Sequence, residues 1–411
     1  MLKEVAERLK DNYPYGDPLY AGQMLKPPHD VARRAYEMAL PINPNNHALD
    51  GGRASSAMEK EAVADLARMI GWDTHLGHLC SGGTMANLEA LWVAGQLHPG
   101  KTVLASTQAH YTHRRIAGVL GLPFETLPCD RAGRLDVPAL ERRLAAGGVG
   151  TVVATMGTTA TGAVDPLDAI VELRGRYDFR IHADAAYGGY FLLIKELAVE
   201  TRRAFDKIAE AASVVIDPHK HGLQPYGCGC VLFHDPAVGR LYRHDSPYTY
   251  FTSTDLHLGE ISLECSRPGA AAVALWATQR LFPLTADGEF AKGLASGRAA
   301  ALELHERMRQ DGRFVTGSPP ELDILIWTPR AKRVSDASAL SQKIFAEAAQ
   351  RQLHLAIATL PVHLLDVQNM QRDRDTIVCL RSVLMKPEHR EWVDRIWSIL
   401  DAATTAAGVQ R

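Results

Sequence analysis

The sequence predicts an α/β protein, with a mainly parallel sheet flanked by helices and a smaller C-terminal α+β domain. Three observations carry that expectation. Short apolar runs alternate with helical patterns between residues 102 and 216, and strands joined through helices form parallel βαβ crossovers. After Pro268 the rhythm changes, with two long helices followed by mixed strands and helices. At 411 residues the chain is also too long for one small core. The expected organisation is an arm over residues 1–55, a large domain over 56–284 and a small domain over 285–411.

In chain order, the arm is rich in Pro, Asn, Gly and Tyr and carries one helical stretch, Asp30 to Leu40. Ala57 to Ile70 is amphipathic, with Val63, Leu66, Ala67 and Ile70 at helical spacing. Strands are expected at Thr102 to Ala105, Phe124 to Leu127, Thr151 to Met156, Arg180 to Ala183 and Val214 to Ile216. Helices are expected at Met85 to Ala94, Arg114 to Leu120, Val137 to Ala145, Pro166 to Tyr177 and Thr201 to Ala211. Two long helices follow, Ala270 to Leu281 and Ala286 to Gln310. The rest reads as strands at Leu322 to Trp327, Leu353 to Ile357 and Thr376 to Leu380, with helices at Ala337 to Gln350 and Pro387 to Ala403.

Composition narrows the function classes. The formal net charge is −2 with no basic block, which argues against nucleic-acid binding. No apolar run approaches the ~20 residues that span a bilayer. The N-terminus carries charges throughout, so no signal peptide is expected. Six scattered cysteines without a CxxC pair fit free thiols in a reducing cytoplasm.

The segment Ser213 to Phe233, SVVIDPHKHGLQPYGCGCVLF, is the stretch around which the chemistry is arranged. Asp217 and Pro218 break a buried apolar run and present His219 and Lys220 where the strand ends. Gly222, Pro225, Gly227 and Gly229 then turn the chain before a second apolar run, Cys230 to Phe233. A lysine desolvated at a strand end gives up its proton more readily, as Schiff-base chemistry requires. The plain alternative is a solvated, idle lysine at a strand–loop junction.

Ligands of parallel sheets bind at the carboxyl ends of the strands. Polar residues collect there. Cys80-Ser81-Gly82-Gly83-Thr84 leads into a helix and has the make-up of a phosphate site, although Thr84 could equally be an ordinary helix cap. His110 follows the strand at Thr102, and Thr158 and Thr159 follow the one at Thr151. Asp184 and Ala186 lie in HADAAYGG, where a carboxylate among alanines and glycines is costly unless paired. A protonated heterocyclic nitrogen would suit it. Together these residues provide what a pyridoxal phosphate site needs: a phosphate cradle, a flat group for the ring face, a hydroxyl, an acid for the ring nitrogen and a lysine for the aldehyde.

HADAAYGG, DPHKHG, GGTMANLEAL, the QAH at 108–110 and CSRPGA make the chain resemble the fold-type I, pyridoxal-phosphate-dependent group II amino-acid decarboxylases. These include the glutamate, aromatic-amino-acid and archaeal tyrosine/aspartate enzymes. The resemblance is good over about residues 55 to 270 and looser elsewhere. It implies Lys220 as the Schiff-base lysine, Asp184 under the ring nitrogen, Ala186 below the ring and His110 stacked above it. It further implies Gly83, Thr84 and His219 at the phosphate, Thr159 near the phenolic oxygen and Arg267 on a substrate carboxylate. Asp217 departs from the asparagine of the aromatic branch, and an anion there is at odds with a phosphate.

A loop tyrosine that returns a proton to Cα would fall at Tyr248 or Tyr250, between which the sequence does not choose; a surface loop packed at a dimer contact is the other reading. His75 and His78, like His110 and His113, have a spacing found in metal sites, but neither pair has a third ligand nearby, and no metal is expected. No GxGxxG or GxxxxGK[ST] is present. The resemblance thus implies a cytoplasmic homodimer with shared active sites that decarboxylates an L-amino acid to an amine and carbon dioxide. A carbon–carbon lyase like the sphingosine-phosphate lyases, an oxidative aldehyde-forming variant and a non-catalytic relative are the alternatives. The substrate side chain is not readable.

Overall fold

The computed structural model describes residues 1–243 and 257–410. The chain divides into two compact units, one of Pro28–Lys292 and one of Met1–Pro27 with Gly293–Arg411. Among the described residues no helix is long and apolar enough to cross a membrane.

The larger unit is built on seven strands: β1 (Leu76–Cys80), β2 (Thr102–Ser106), β3 (Phe124–Leu127), β4 (Val149–Thr155), β5 (Arg180–Asp184), β6 (Ser213–Ile216) and β7 (Gly229–Phe233). Their order is β1-β7-β6-β5-β4-β2-β3. From β6 to β3 all pairs are parallel, and β7 runs antiparallel to both β6 and β1. β1 is therefore parallel to β6, and the carboxyl ends of β1, β2, β4, β5 and β6 share one edge of the sheet. Strands β2, β4, β6 and β7 are buried along their whole length, as expected of a sheet covered on both faces. Helix Gly83–Leu97 lies on one face, where Ala86, Ala90 and Val93 pack with Val215 and Val231, and its Leu91 packs with Val103, Ala105, Ile116 and Val153.

Strand β1 is an element that the sequence pattern hides. Gly77 and His78 interrupt its apolar character, and both have a structural reason. A Cβ on Gly77 would come within 2.6 Å of a Leu232 methyl and 2.7 Å of the Val231 carbonyl. His78 is paired with Glu89. The helix expected from Ala57 begins earlier, spanning Leu49–Ile70 with a break at Gly52. Helix Leu2–Leu9, which the arm's composition did not suggest, buries no residue.

The smaller unit holds four strands, β8 (Phe314–Thr316), β9 (Ile324–Pro329), β10 (Ala356–Pro361) and β11 (Thr376–Val383), in the antiparallel order β10-β11-β9-β8. Its core joins Trp327, Leu325 and Leu380 to Ile344 and Ala348 of helix Val334–Gln350 and to Ile396 and Leu400 of helix His389–Ala406. The first residues of the chain belong to this core through Ala21.

Candidate active site

The carboxyl edge of the larger sheet encloses a cavity of about 330 Å³. Ser81 to Met85, His110, Thr159, Asp184, Ala186, Asp217, His219 and Lys220 all line it. Of the residues singled out in the sequence, Lys220, Asp184, His110, Gly83, Thr84, Thr159, Ala186 and His219 are thus brought together. Asn87, Thr112, Thr155, Gly157 and Tyr187 complete the wall.

The start of helix Gly83–Leu97 has no side-chain cap, so Thr84 does not play that role. Gly82 precedes the helix at φ 155°, a backbone setting that favours glycine. The loop can lie here because Gly229, at the start of β7, has no side chain. A Cβ on it would sit 2.5 Å from Gly82 Cα and carbonyl carbon. Uncapped helix N–H groups facing a cavity are anion receptors by hydrogen bonding and by dipole.

Asp184 ends β5 at 5% exposure. Its Oδ2 accepts from His113 Nε2 at 2.8 Å, and its Oδ1 accepts from the Ala186 N–H at 3.2 Å. Burial on its own raises a carboxyl. Here the His113 hydrogen bond and the positive groups around it prevail, and hold Asp184 well below the usual carboxylate range. His113 is fully buried and is the partner such a carboxylate needs. Sequence reasoning missed it because H-x-x-H suggested metal spacing. The cost of an unpaired Asp184 was the signal that could have found it. One turn back, His110 Nδ1 meets Thr112 Oγ1 at 2.7 Å, and burial lowers its pKa.

Behind Asp184, His182 bridges Asn87 Oδ1 at 2.7 Å through Nε2 and Ser213 Oγ at 2.9 Å through Nδ1. Burial pushes its pKa down to about 3, so the ring is neutral. It donates to the Asn87 carbonyl oxygen and accepts from the Ser213 hydroxyl. This fixes Asn87, itself a wall of the cavity, to the strand layer.

Lys220 follows β6. Its Nζ stands 3.0 Å from Asp217 Oδ2, and its side chain keeps 21% exposure. Its surroundings therefore include an ion pair, where the sequence suggested a desolvated strand end. His219 Nε2 lies 3.6 Å from the same oxygen, and the His219 ring stacks on Tyr226 at 4.6 Å.

Arg267, expected at a substrate carboxylate, is not among the residues that line this cavity. Its Nη1 donates to Glu59 Oε1 at 2.7 Å and to the Leu79 carbonyl, and the side chain is buried. Glu59 also accepts from the Leu79 N–H at 2.9 Å, so the pair braces the end of β1. Tyr248 and Tyr250 lie outside the described residues.

Residues that converge on one cavity provide an anion receptor, an ionised carboxylate and an amine, and they fit a phosphorylated pyridine aldehyde. The comparisons agree with that donor set. Residues 38–322 match the pyridoxal-dependent decarboxylase conserved domain. A probable L-tyrosine/L-aspartate decarboxylase of Methanothermobacter thermautotrophicus is 30% identical over 262 residues, 63% of this chain and 70% of that protein. An L-tyrosine decarboxylase of Enterococcus faecium is 27% identical over 451 aligned positions, 83% of this chain and 74% of that one. The fold is that of the Oryza sativa TDC structure with PLP and tryptamine, with a TM-score of 0.84 at 19% identity over 100% of this chain and 89% of that one.

Proposed function

Since the chain belongs to the pyridoxal-dependent decarboxylase family, we propose that Lys220 carries the cofactor covalently while the enzyme converts an L-amino acid to its amine and carbon dioxide. One observation carries the residue assignment: Lys220, Asp184 and the uncapped start of helix Gly83–Leu97 face a single cavity.

When bound, pyridoxal phosphate supplies an electron sink for the bond that loses the carboxylate. The chain's part is to bind, orient and manage protons. The N–H groups at Gly83 and Thr84 would hold the phosphate, helped by His219. Asp184, kept ionised by His113, would hold a proton at the ring nitrogen. A carboxylate fixed this way is worth more than the same group in water, because its orientation costs nothing during the reaction. With the cofactor bound, Ala186 would leave room on one side of the ring, His110 would cover the other, and Thr159 would meet the phenolic oxygen. Lys220, now paired with Asp217, would be the amine that holds the aldehyde.

The relatives named for tyrosine and aspartate make these two amino acids the first substrates to try. Purified protein given pyridoxal phosphate should develop a visible band that borohydride removes. It should also release carbon dioxide from one member of a panel of the twenty amino acids and L-DOPA, leaving the amine. A Lys220→Ala variant that keeps wild-type turnover would overturn the lysine assignment. An aldehyde in place of the amine would mark the oxidative variant.

The reading extends to a cytoplasmic homodimer. All six cysteines are free thiols. Leu2, Val5 and Leu9, spaced along one face of helix Leu2–Leu9, are 77, 48 and 62% exposed. A second copy of the chain is the occupant that would cover such a face.

A further inference from the structure

Asp217 sits at the anion receptor itself. It is 2% exposed. A Cβ on Gly83 would lie 2.5 Å from Oδ2 and 3.0 Å from Oδ1. Gly82 turns toward His219, whose Cε1 would be 3.2 Å from a Cβ placed there. Oδ2 faces Lys220 and His219, whereas Oδ1 is buried with no hydrogen-bond partner among the described residues. The sequence had already set this carboxylate at odds with a phosphate.

The groups around it leave one countercharge. Cys80 at the end of β1, Cys228 and Cys230 beside and within β7, and Tyr190 have their pKa values raised by burial and stay neutral. Burial lowers those of His110 and His219, which are neutral near pH 7. Among the described residues that face Asp217, this leaves Lys220, its ion-pair partner at 3.0 Å. Asp217 is paired with Lys220, and a phosphate at the receptor adds negative charge beside a carboxylate that is itself only 2% exposed.

We propose that Asp217 holds the anion receptor until the cofactor arrives, and that loading of pyridoxal phosphate takes up one proton at this carboxylate. A carboxylate can only accept hydrogen bonds, whereas a carboxyl can donate one. Protonation therefore turns a repelling neighbour of the phosphate into a partner. The unsatisfied Oδ1 is the atom that gains from it. This inference rests on reading the cavity as the cofactor site.

The test is calorimetric titration of the cofactor-free enzyme with pyridoxal phosphate, in buffers of different ionisation enthalpy between pH 6.5 and 8.5. Wild type should take up about one more proton per site than Asp217→Asn. Its Kd should rise about tenfold more steeply per pH unit. The cofactor's own proton changes are common to both proteins, and repeating the titration with Lys220→Ala in each background removes those of Lys220, the ion-pair partner of Asp217. Inorganic phosphate alone gives a second arm that needs no lysine chemistry. At pH 8 it should raise the Tm of cofactor-free Asp217→Asn more than that of wild type. Equal proton uptake would overturn the proposal, as would weaker phosphate protection in the variant. A wild type that takes up no pyridoxal phosphate would overturn the cofactor reading as well. Uptake without a difference between the two proteins would overturn this proposal alone.

Discussion

His182 and Asp184 stand two residues apart on β5 and are held in opposite charge states by what surrounds them. Asp184 is ionised because His113 donates to it. His182 is neutral because it is buried, with a pKa near 3. The unfolded chain returns His182 to about 6.5, so between those values unfolding binds a proton. Its stability is whole above about pH 6.5 and is lost as pH falls toward 3, at about 1.4 kcal/mol per pH unit. Asp184 has the depressed-carboxyl sense and matters only at more acid pH. Wild-type Tm should therefore fall from pH 7 to pH 5, and His182→Gln, which can still donate to Asn87, should fall less steeply over the same range. Thermal scans of both proteins decide it; equal slopes would place the proton elsewhere. At this scale the sequence made Asp184 legible and left its partner unread, because pairing across 71 positions leaves no local pattern.

Between elements, the tight contact is the one of β7 with the loop after β1. Gly229→Ala would drive a methyl into the backbone of Gly82, which cannot move aside as a side-chain tip can. The expected cost is about 1–3 kcal/mol, or about 2–4 °C of Tm per kcal/mol, together with weakened cofactor uptake. Differential scanning calorimetry and the visible band measure both; unchanged cofactor uptake would show that the loop tolerates displacement. Apolar runs revealed β2, β4, β5 and β6, strands that are buried almost throughout. They did not reveal β1, where closeness to β7 demands Gly77 and a buried hydrogen bond to Glu89 demands His78. Gly82 and Gly83 were readable as a phosphate loop, but the reason for glycine at position 229 lies in three-dimensional packing alone.

For the whole molecule, the sequence conveyed an α/β unit followed by an α+β module, since period and composition change after Pro268. It did not convey that the first 27 residues count with the second unit, because Ala21 joins that core through a contact distant in sequence. The exposed face of helix Leu2–Leu9 bears on assembly. Val5→Glu with Leu9→Glu should shift the protein from dimer toward monomer in light scattering at micromolar concentration, and wild type already monomeric at that concentration would remove the case for a covering partner.

The strand order also has a direction in time. Cys80 has Gly229 as its register partner, so β1 can enter the sheet only after residues 229 to 233 have been made. A ribosome emits the chain from its N-terminus, and the loop at Gly82 must wait, without its backstop, through the synthesis of β2 to β6. Asp184 and Lys220 emerge in that interval and also lack the finished cradle. A nascent chain that stops short of Phe233 therefore has no finished cradle, and the group that fills the cavity has to be captured after β7 is in place.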